Sequence, residues 1–393
     1  RVPARRGDLH CVAHTLGVRR HLPLRMRRTS TTAIAVFLAL VGLSPAIGRG
    51  GICSAQMIRG RVSAKGSSEA LAGSIVVLAD SARASLNATL ADDKGAFTLT
   101  APKPGRYFVR VERVGFRTAV FGPYDLAVGG STEVALSVTP DVVTLNAVRV
   151  TGARRCLVRP QEGLDAARLW EEARKALDAT RLTQMAQAAA RRTGNRFTLR
   201  LRRLVRELDP SSLVERKRES WEREVESATP YVSAERSKLA QAGYVVEDND
   251  GFVYFAPYAV VFLSNEFLDS HCLRVVRRRR GADALIGLAF EPVTRGALPG
   301  ARHVDVAGVL WLHRARAELR YMEYRYTDLN LSVPTDALGG RVDFRPLPDG
   351  RWIVWQWYIR MPQMVRKRIN EISNLSPEWR TSLLSIHEEG GEV

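Results

Sequence analysis

His271 and Cys272 are the two residues of this sequence that come closest to a nucleophilic catalytic pair. A cysteine becomes a strong nucleophile when a neighbouring base such as histidine removes its proton. Successive side chains of a β-strand point to opposite faces, so two adjacent strand residues do not contact each other. We therefore prefer a disulfide for Cys272, and a thiol hydrolase that uses Cys272 and His271 stays as an alternative.

Metal and cofactor chemistry has little support in the residue pattern. A catalytic zinc ion needs three protein ligands and an open position, which zinc carboxypeptidases build from a His-x-x-Glu pair and a distant histidine. None of the histidines after residue 56 has a glutamate three residues later: His271, His303, His313 and His387. His303 and Asp305 are explained more simply as a surface pair. The sequence also lacks a glycine-rich phosphate loop and a Cys-x-x-Cys pair, so we predict no metal and no cofactor.

Aromatic residues are concentrated between residues 305 and 361. Large aromatic side chains more often pack in a core than line a ligand site, although a binding face can use them. The candidate ligand-facing aromatics are Trp311, Tyr321, Tyr324, Trp352, Trp355 and Trp357.

The start of the chain has the composition of an export signal. The 393 residues carry a net charge of +18, and nine basic residues but one acid lie before residue 56. Met26 is followed by two arginines, an apolar run at residues 33–43 and small residues up to Ala55, which is the order of a secretory signal peptide. The apolar run is shorter than the ~20 residues that span a membrane. We predict a signal peptide at residues 26–55, and interpret residues 1–25 as an artefact of start assignment.

Export sets the expected location, redox state and partners. We predict a periplasmic or outer-membrane-associated protein, with peripheral membrane association through a partner. Cleavage after Ala55 leaves Cys156 and Cys272, and an even pair in an oxidising compartment predicts a disulfide between them. The run Arg277, Arg278, Arg279 and Arg280 is a candidate contact for an anionic envelope partner rather than for nucleic acid.

Short apolar runs at close spacing predict a seven-stranded β-sandwich over residues 57–139. Residues 92–116 show the clearest alternation of apolar and polar residues, on both sides of a turn at Pro104 and Gly105. We predict that they form a half-buried antiparallel hairpin, with Arg110 and Glu112 facing outward.

The turns and core positions of this sandwich follow an ordered pattern: Gly60-x-Val62, Leu71-Ala72-Gly73-Ser74, Asp92-x-x-Gly95-x-Phe97-x-Leu99, Pro104-Gly105-x-Tyr107-x-Val109 and Gly115-Phe116. The pattern resembles the carboxypeptidase regulatory-like domain, a transthyretin-like sandwich. This resemblance implies a structural or docking module that carries no catalytic residues of its own.

The segment after the sandwich has two interpretations. Residues 142–152, VVTLNAVRVTG, resemble the segment that joins such a module to the plug of TonB-dependent receptors, which implies a TonB-linked receptor component. We prefer a linker at residues 140–160, because too few residues follow for the ~22 strands of those receptors.

The second domain, residues 161–393, is predicted to contain a helix and a sheet. Residues 163–193 place Leu164, Ala173 and Leu177 on one helical face, with Glu171 and Lys175 as an i,i+4 ion pair on the other. Ten candidate strands follow up to residue 361, and a basic, helix-like run begins at residue 363.

The predicted fold class is mainly β with some α: a sandwich, then a helix plus a curved, half-barrel-like antiparallel sheet. The strand repeats resemble periplasmic lipoprotein-sorting carriers, which implies an apolar concave face able to shelter an acyl chain or peptide. The combined prediction is an exported, non-catalytic envelope protein that binds or docks a protein, glycan or lipid ligand.

Overall fold

Seven short strands in two sheets form the first part of the chain. The computed structural model describes residues 56–141, 160–193, 199–225, 233–248, 251–277, 285–293, 304–329, 337–368 and 379–393. The first strands are β1 (Gln56–Ala64), β2 (Ile75–Ala79), β3 (Ser85–Leu90), β4 (Ala96–Ala101), β5 (Gly105–Glu112), β6 (Ala119–Leu126) and β7 (Ser131–Val138). Their orders, β4-β1-β7 and β3-β2-β5-β6, confirm the predicted sandwich.

The predicted hairpin at residues 92–116 is wrong, although its alternation is confirmed. Phe97 and Tyr107 are buried as the pattern predicts. However, β4 pairs with β1, whereas β5 pairs with β2 and β6, so the turn at Pro104 and Gly105 carries the chain from one sheet to the other. Alternation shows which face of a strand is buried, but it does not identify the neighbouring strand.

A long helix and a nine-stranded antiparallel sheet form the second part. Helix α1 (Pro160–Thr193) is confirmed, and three short helices follow: α2 (Arg236–Ala242), α3 (Ala259–Phe262) and α4 (Asn265–Ser270). The strands are β8 (Leu199–Leu208), β9 (Glu215–Val225), β10 (Val245–Asp248), β11 (Gly251–Tyr254), β12 (His271–Arg277), β13 (Leu285–Pro292), β14 (Val306–His313), β15 (Leu319–Tyr326), β16 (Gly339–Pro346), β17 (Trp352–Arg368) and β18 (Trp379–Glu392). The sheet order is β12-β13-β14-β15-β16-β17-β18-β8-β9, and β10 pairs with β11 separately.

The end of the chain differs from the prediction. The part of the basic run that the structure describes, residues 363–368, continues β17, and β18 pairs with both β17 and β8. Cross-strand pairing therefore overrides the helix-like composition of this segment. The predicted strand at residues 214–225 is confirmed as β9, in spite of a similar composition.

Helix α1 is buried from two sides. Leu169, Ala173 and Leu177 belong to one continuous core with residues of the large sheet such as Leu310. The same core contains Ile75 and Val77 of β2 and packs against residues of β3. The alternate β2 residues belong to the sandwich's own core, so β2 contributes to both cores.

Charged residues of α1, predicted to line its solvent face, instead join it to the sandwich. Lys175 and Glu172 are buried and form an i,i+3 ion pair at 2.6 Å, in place of the predicted pair between Glu171 and Lys175. Lys175 Nζ donates to the Phe116 carbonyl oxygen at 2.8 Å, and the Gly115 amide donates to Glu172 Oε2 at 2.7 Å. Burial raises the pKa of Glu172, and the nearby Lys175 ammonium offsets only part of this effect.

A second set of ion pairs connects α1 with β5. Arg174 contacts Glu112 Oε2 at 2.6 Å and Glu171 Oε1 at 2.9 Å, while Arg110 contacts Glu112 Oε1 at 2.6 Å. Glu112 is therefore buried against α1 rather than exposed as predicted. Burial alone would lower the pKa of Arg174, but Glu171 and Glu112 raise it above its usual value. Leu164, predicted to share the buried face with Ala173, is 61% exposed, because nine residues at 3.6 per turn place it about 180° around the helix from Ala173.

Two glycines permit another close approach between the sandwich and the sheet. Gly73 precedes β2, Gly350 lies in the turn between β16 and β17, and both have positive φ angles, 70° and 79°. A Cβ atom on Gly73 would lie 1.9 Å from the Gly350 carbonyl oxygen. Glycine is therefore required at this contact.

We expect the substitution Lys175→Met to lower the free energy of unfolding by about 3–5 kcal/mol, because it leaves the buried Glu172 carboxylate without its cation. Adding Glu172→Leu should restore only part of this loss, since it removes the remaining buried charge but leaves the Gly115 amide and the Phe116 carbonyl oxygen without their side-chain partners. Urea unfolding of the purified protein measures both effects.

The control for this experiment is Arg106→Ala. The ion pair between Arg106 and Asp125 is solvent-exposed, at 60% and 68% of their side-chain surfaces, so its loss should leave the unfolding midpoint unchanged. Equal destabilisation by the Lys175 and Arg106 substitutions would contradict the structural role of the buried pair.

Candidate functional site

The face of the nine-stranded sheet turned away from α1 carries many charged residues. Cross-strand neighbours form three rows across β14, β15, β16, β17, β18 and β8, and together we call them the polar face. The rows are Ala307, Arg325, Gly339, Arg360, Glu388 and Arg206; Val309, Glu323, Arg341, Tyr358, Gly390 and Leu204; and Trp311, Tyr321, Asp343, Gln356, Glu392 and Arg202. Because strand side chains alternate, residues between these positions, such as Met322 and Ile359, join the core instead.

A buried carboxylate held by two arginines lies in the first row. Glu388 is 1% exposed, and it accepts hydrogen bonds from Arg206 Nε on Oε1 and from Arg360 Nε on Oε2, each at 2.7 Å. Hydrogen bonds between charged groups are about twice as strong as neutral ones. The arrangement therefore holds both guanidinium groups in fixed positions on the sheet.

Arg341 organises the other two rows. Its guanidinium donates to both Asp343 carboxylate oxygens, at 2.8 and 2.7 Å, and lies 3.7 Å from the centre of the Tyr321 ring. Glu323 Oε1 is 3.6 Å from Arg341, and Glu323 Oε2 accepts a hydrogen bond from Trp311 Nε1 at 3.1 Å. The hydrogen bond to Asp343 raises the pKa of Arg341, which keeps this residue positively charged.

Two cavities lie on the polar face, one on each side of Tyr358. The larger has a volume of about 320 Å³, and its lining includes Val309, Glu323, Arg325, Tyr358 and Arg360. Burial raises the pKa of the Tyr358 hydroxyl, so this group is a neutral donor at physiological pH. The larger cavity thus combines positive charge, hydroxyl and carboxylate groups and a small apolar wall.

The smaller cavity has a volume of about 220 Å³. Its lining includes Arg202, Arg206, Tyr358 and Glu388. The larger cavity therefore contacts the Glu388 ion pairs at Arg360, and the smaller cavity contacts them at Arg206 and Glu388.

The predicted ligand-facing aromatics have mainly structural positions. Tyr324, Trp352 and Trp357 belong to the core on the α1 side of the sheet, although Tyr324 also contributes to the lining of the larger cavity and Trp357 to that of the smaller. Trp311 and Tyr321 lie on the polar face, but they are 9% and 6% exposed and pack against each other, with ring centres 6.3 Å apart. The apolar sheet face expected to shelter an acyl chain is instead covered by α1.

Trp355 is the sixth predicted aromatic, and it is half-buried. It lies at a register shift in β17, where the Arg345 guanidinium is 4.8 Å from the centre of its ring. The Trp355 ring is therefore covered by an arginine, as the Tyr321 ring is by Arg341.

The structure does not bring His271 and Cys272 together as a catalytic pair. The His271 ring stacks on Phe267 with ring centres 3.9 Å apart, and its Nε2 lies 3.2 Å from Asp305 Oδ1. Asp305 therefore contacts His271, while its predicted partner His303 lies outside the described residues. Cys272 is disulfide-bonded, so it has no free thiol. Cys156 lies outside the described residues, and its pairing with Cys272 stays a prediction.

The remaining predicted contacts are largely outside the part of the chain that the structure describes. Arg277 ends β12, and Arg278, Arg279 and Arg280 follow it outside the described residues. Within the described ranges, no group of three or more histidine, cysteine or acidic residues could hold a metal ion. Among the described helices, none has the length and hydropathy needed to span a membrane.

Sequence reasoning missed the residues that define the polar face. Gln356, Tyr358 and Arg360 alternate with apolar residues in the sequence, and this period of two is a readable signal. The partner Glu388 lies in β18, a strand that the sequence did not predict. The sequence therefore contained the charges of this site, but not their pairing across strands.

Comparisons with known proteins identify the first part of the chain. Residues 57–139 match the carboxypeptidase regulatory-like domain family, which confirms the resemblance for the sandwich. None of the curated proteins compared with this sequence matches it. The comparisons do not support the resemblances of residues 142–152 to TonB-dependent receptors and of the large sheet to lipoprotein carriers.

Two solved structures show remote similarity. The group B streptococcus pilus 2b backbone protein is 12% identical, with a TM-score of 0.17, over 22% of this chain and 41% of that chain. A putative membrane-associated protein of unknown function from Bacteroides fragilis is 11% identical, with a TM-score of 0.17, over 86% of this chain and 99% of that chain. This chain thus covers less than half of the streptococcal chain.

We expect Glu388→Ala to lower the free energy of unfolding by about 3 kcal/mol, because two partly buried guanidinium groups lose their shared carboxylate. The matched control is Glu392→Ala, on the same strand and face but exposed. Urea unfolding of both variants checks this prediction. A Glu388 variant as stable as the Glu392 variant would show that the buried bridge does not organise the polar face.

Proposed function

We propose that this chain is an exported, non-catalytic binding module of a bacterial cell envelope, and that it contacts its ligand through the polar face. The observation that carries this proposal is the row of charged residues around Glu388, with a cavity on each side. Fixed, paired charges on a rigid sheet suit specific recognition of a polar ligand.

The distribution of apolar surface favours a glycan or protein ligand over a lipid chain. Helix α1 packs on the apolar face of the large sheet at β12–β15 and β17, so it leaves no room there for an acyl chain. The polar face has charged groups within hydrogen-bonding reach of solvent, and an acyl chain would have to desolvate them at a cost.

The sandwich supports the proposal in a different way. Its family resemblance implies a structural or docking role, and the outer side of its β3-β2-β5-β6 sheet is already occupied by α1. The outward residues of β1, Arg59 and Arg61, are exposed. We infer that the sandwich mainly supports α1 and the large sheet, while the polar face meets the ligand.

The export part of the proposal rests on the signal-like segment at residues 26–55. The disulfide at Cys272 is compatible with an oxidising compartment, where such bonds persist. Expression of the full chain in a Gram-negative host, followed by cell fractionation and N-terminal sequencing, tests it directly. We expect periplasmic protein that begins at Gln56, whereas uncleaved cytoplasmic protein would contradict export.

The binding part is tested with a charge reversal on the polar face. We expect Arg202→Glu combined with Arg325→Glu to abolish binding of the purified protein to immobilised envelope glycans, namely peptidoglycan and lipopolysaccharide. Both arginines are exposed and border the cavities, so the fold should persist.

The matched control reverses the same amount of charge on the sandwich, with Arg59→Glu and Arg61→Glu. If both double variants lose binding equally, net charge alone drives the interaction and the polar face has no special role. If the polar-face variant binds as well as the unmodified protein, this part of the proposal is wrong.

A further inference from the structure

We propose that the larger cavity of the polar face binds an acidic sugar unit, whose oxyanion is held between Arg325 and Arg360. This inference rests on the proposed function and names a ligand class for its binding face. The shared chemistry is a hydroxylated ring that carries a carboxylate or a phosphate.

Arg325 and Arg360 lie on the two strands that flank Gly339, a residue without a side chain. Arg325 and Arg360 are both cross-strand partners of Gly339, on opposite sides of β16. Neighbouring strands are ~4.8 Å apart, so the two arginine backbones are separated by about 10 Å. A glycine between two such residues leaves a gap that an anionic group can occupy.

Arg360 is held in place but retains hydrogen-bonding capacity. Its Nε donates to Glu388 at 2.7 Å, and its guanidinium lies 4.8 Å from the centre of the Tyr358 ring. Its terminal nitrogens form no hydrogen bond with any of the described residues, although only 24% of the side chain is exposed. Guanidinium groups bind carboxylate and phosphate through two parallel hydrogen bonds, and a fixed donor loses little entropy on binding.

The charges around Arg360 leave a positive excess. Arg206 and Arg360 share Glu388, while Glu215, 3.6 Å from Arg206, is closer to Arg218 at 2.8 Å. Three guanidinium groups therefore face two carboxylates, while Arg325 and Glu323, which both line the larger cavity, contribute one charge of each sign. An anion would balance this excess.

The rest of the cavity suits a sugar ring better than a bare anion. Gly339 and Gly340 contribute backbone to the lining, and Val309 contributes an apolar side chain. The Glu323 carboxylate, 47% exposed, and the Tyr358 hydroxyl provide an acceptor and a donor for ring hydroxyls. The volume of about 320 Å³ is at the lower end of the range for small-molecule sites.

Titration of the purified exported protein with D-glucuronate, D-glucose 6-phosphate and D-glucose, followed by ligand-observed NMR, tests the inference. We expect both anionic sugars to bind at least about tenfold more tightly than glucose, because they alone engage the guanidinium groups. Tighter binding of glucuronate would assign a uronic acid, and tighter binding of glucose 6-phosphate a phosphorylated sugar. Either result supports the site.

Arg325→Gln should weaken binding of the preferred anion about tenfold and leave the weak glucose affinity unchanged. The matched control is Arg320→Gln, an exposed arginine on the same strand that does not line the cavity, which should keep the unmodified affinity. Circular dichroism spectra identical to that of the unmodified protein establish that both variants are folded.

Three results would overturn the inference: glucose binding as tightly as the anions, no binding of either anion, or equal losses in the two arginine variants. These failures are distinct from a failure of the proposed function. A protein that is exported and binds envelope polymers through the polar face, but ignores both anionic sugars, retains its function and lacks this site.

Discussion

The burial of α1 between two sheets is the constraint on which the rest of this structure depends. A helix with solvent on one side needs a single apolar stripe, whereas a helix covered on two sides must satisfy every polar group that it carries. The chain meets most of this requirement with small residues such as Ala173 and with the paired charges of Glu172 and Lys175, whereas Asp165 Oδ2, also buried on α1, has no hydrogen-bond partner among the described residues. Backbone groups of the sandwich complete those pairs, so helix and sandwich position each other.

The same burial decides which surfaces remain for function. Because α1 packs on the apolar side of the large sheet at β12–β15 and β17, and on the outer side of β2, these areas are not open to a ligand. On the opposite side the sheet presents its polar face, where Glu388 fixes Arg206 and Arg360. The position of α1 therefore links the architecture of the chain to the face that we propose for binding.

Local patterns in the sequence predicted the helix and most strands, but they did not predict which strands pair or which charged residues form ion pairs. Alternation identified the strands of the sandwich and of most of the large sheet, and helical spacing identified α1, since both periods are local properties. The pairing of β4, the burial of Glu112 and the bridge at Glu388 depend on residues distant in the chain. Composition was misleading for the run that begins at residue 363, where residues 363–368 of β17 pair with β18. The residues of the polar face could not be found from aromatic density alone, because their pairing is also non-local.

Native-state hydrogen exchange tests most directly whether α1 unites the two β-parts. We predict that amides of α1 near Ala173, of β2 near Val77 and of β14 near Leu310 exchange with one common free energy, equal to that of global unfolding. These residues share a single core, so none should open alone. Exchange of α1 and β14 at a clearly lower free energy, while β2 remains protected, would show that the sandwich folds independently and would contradict the account.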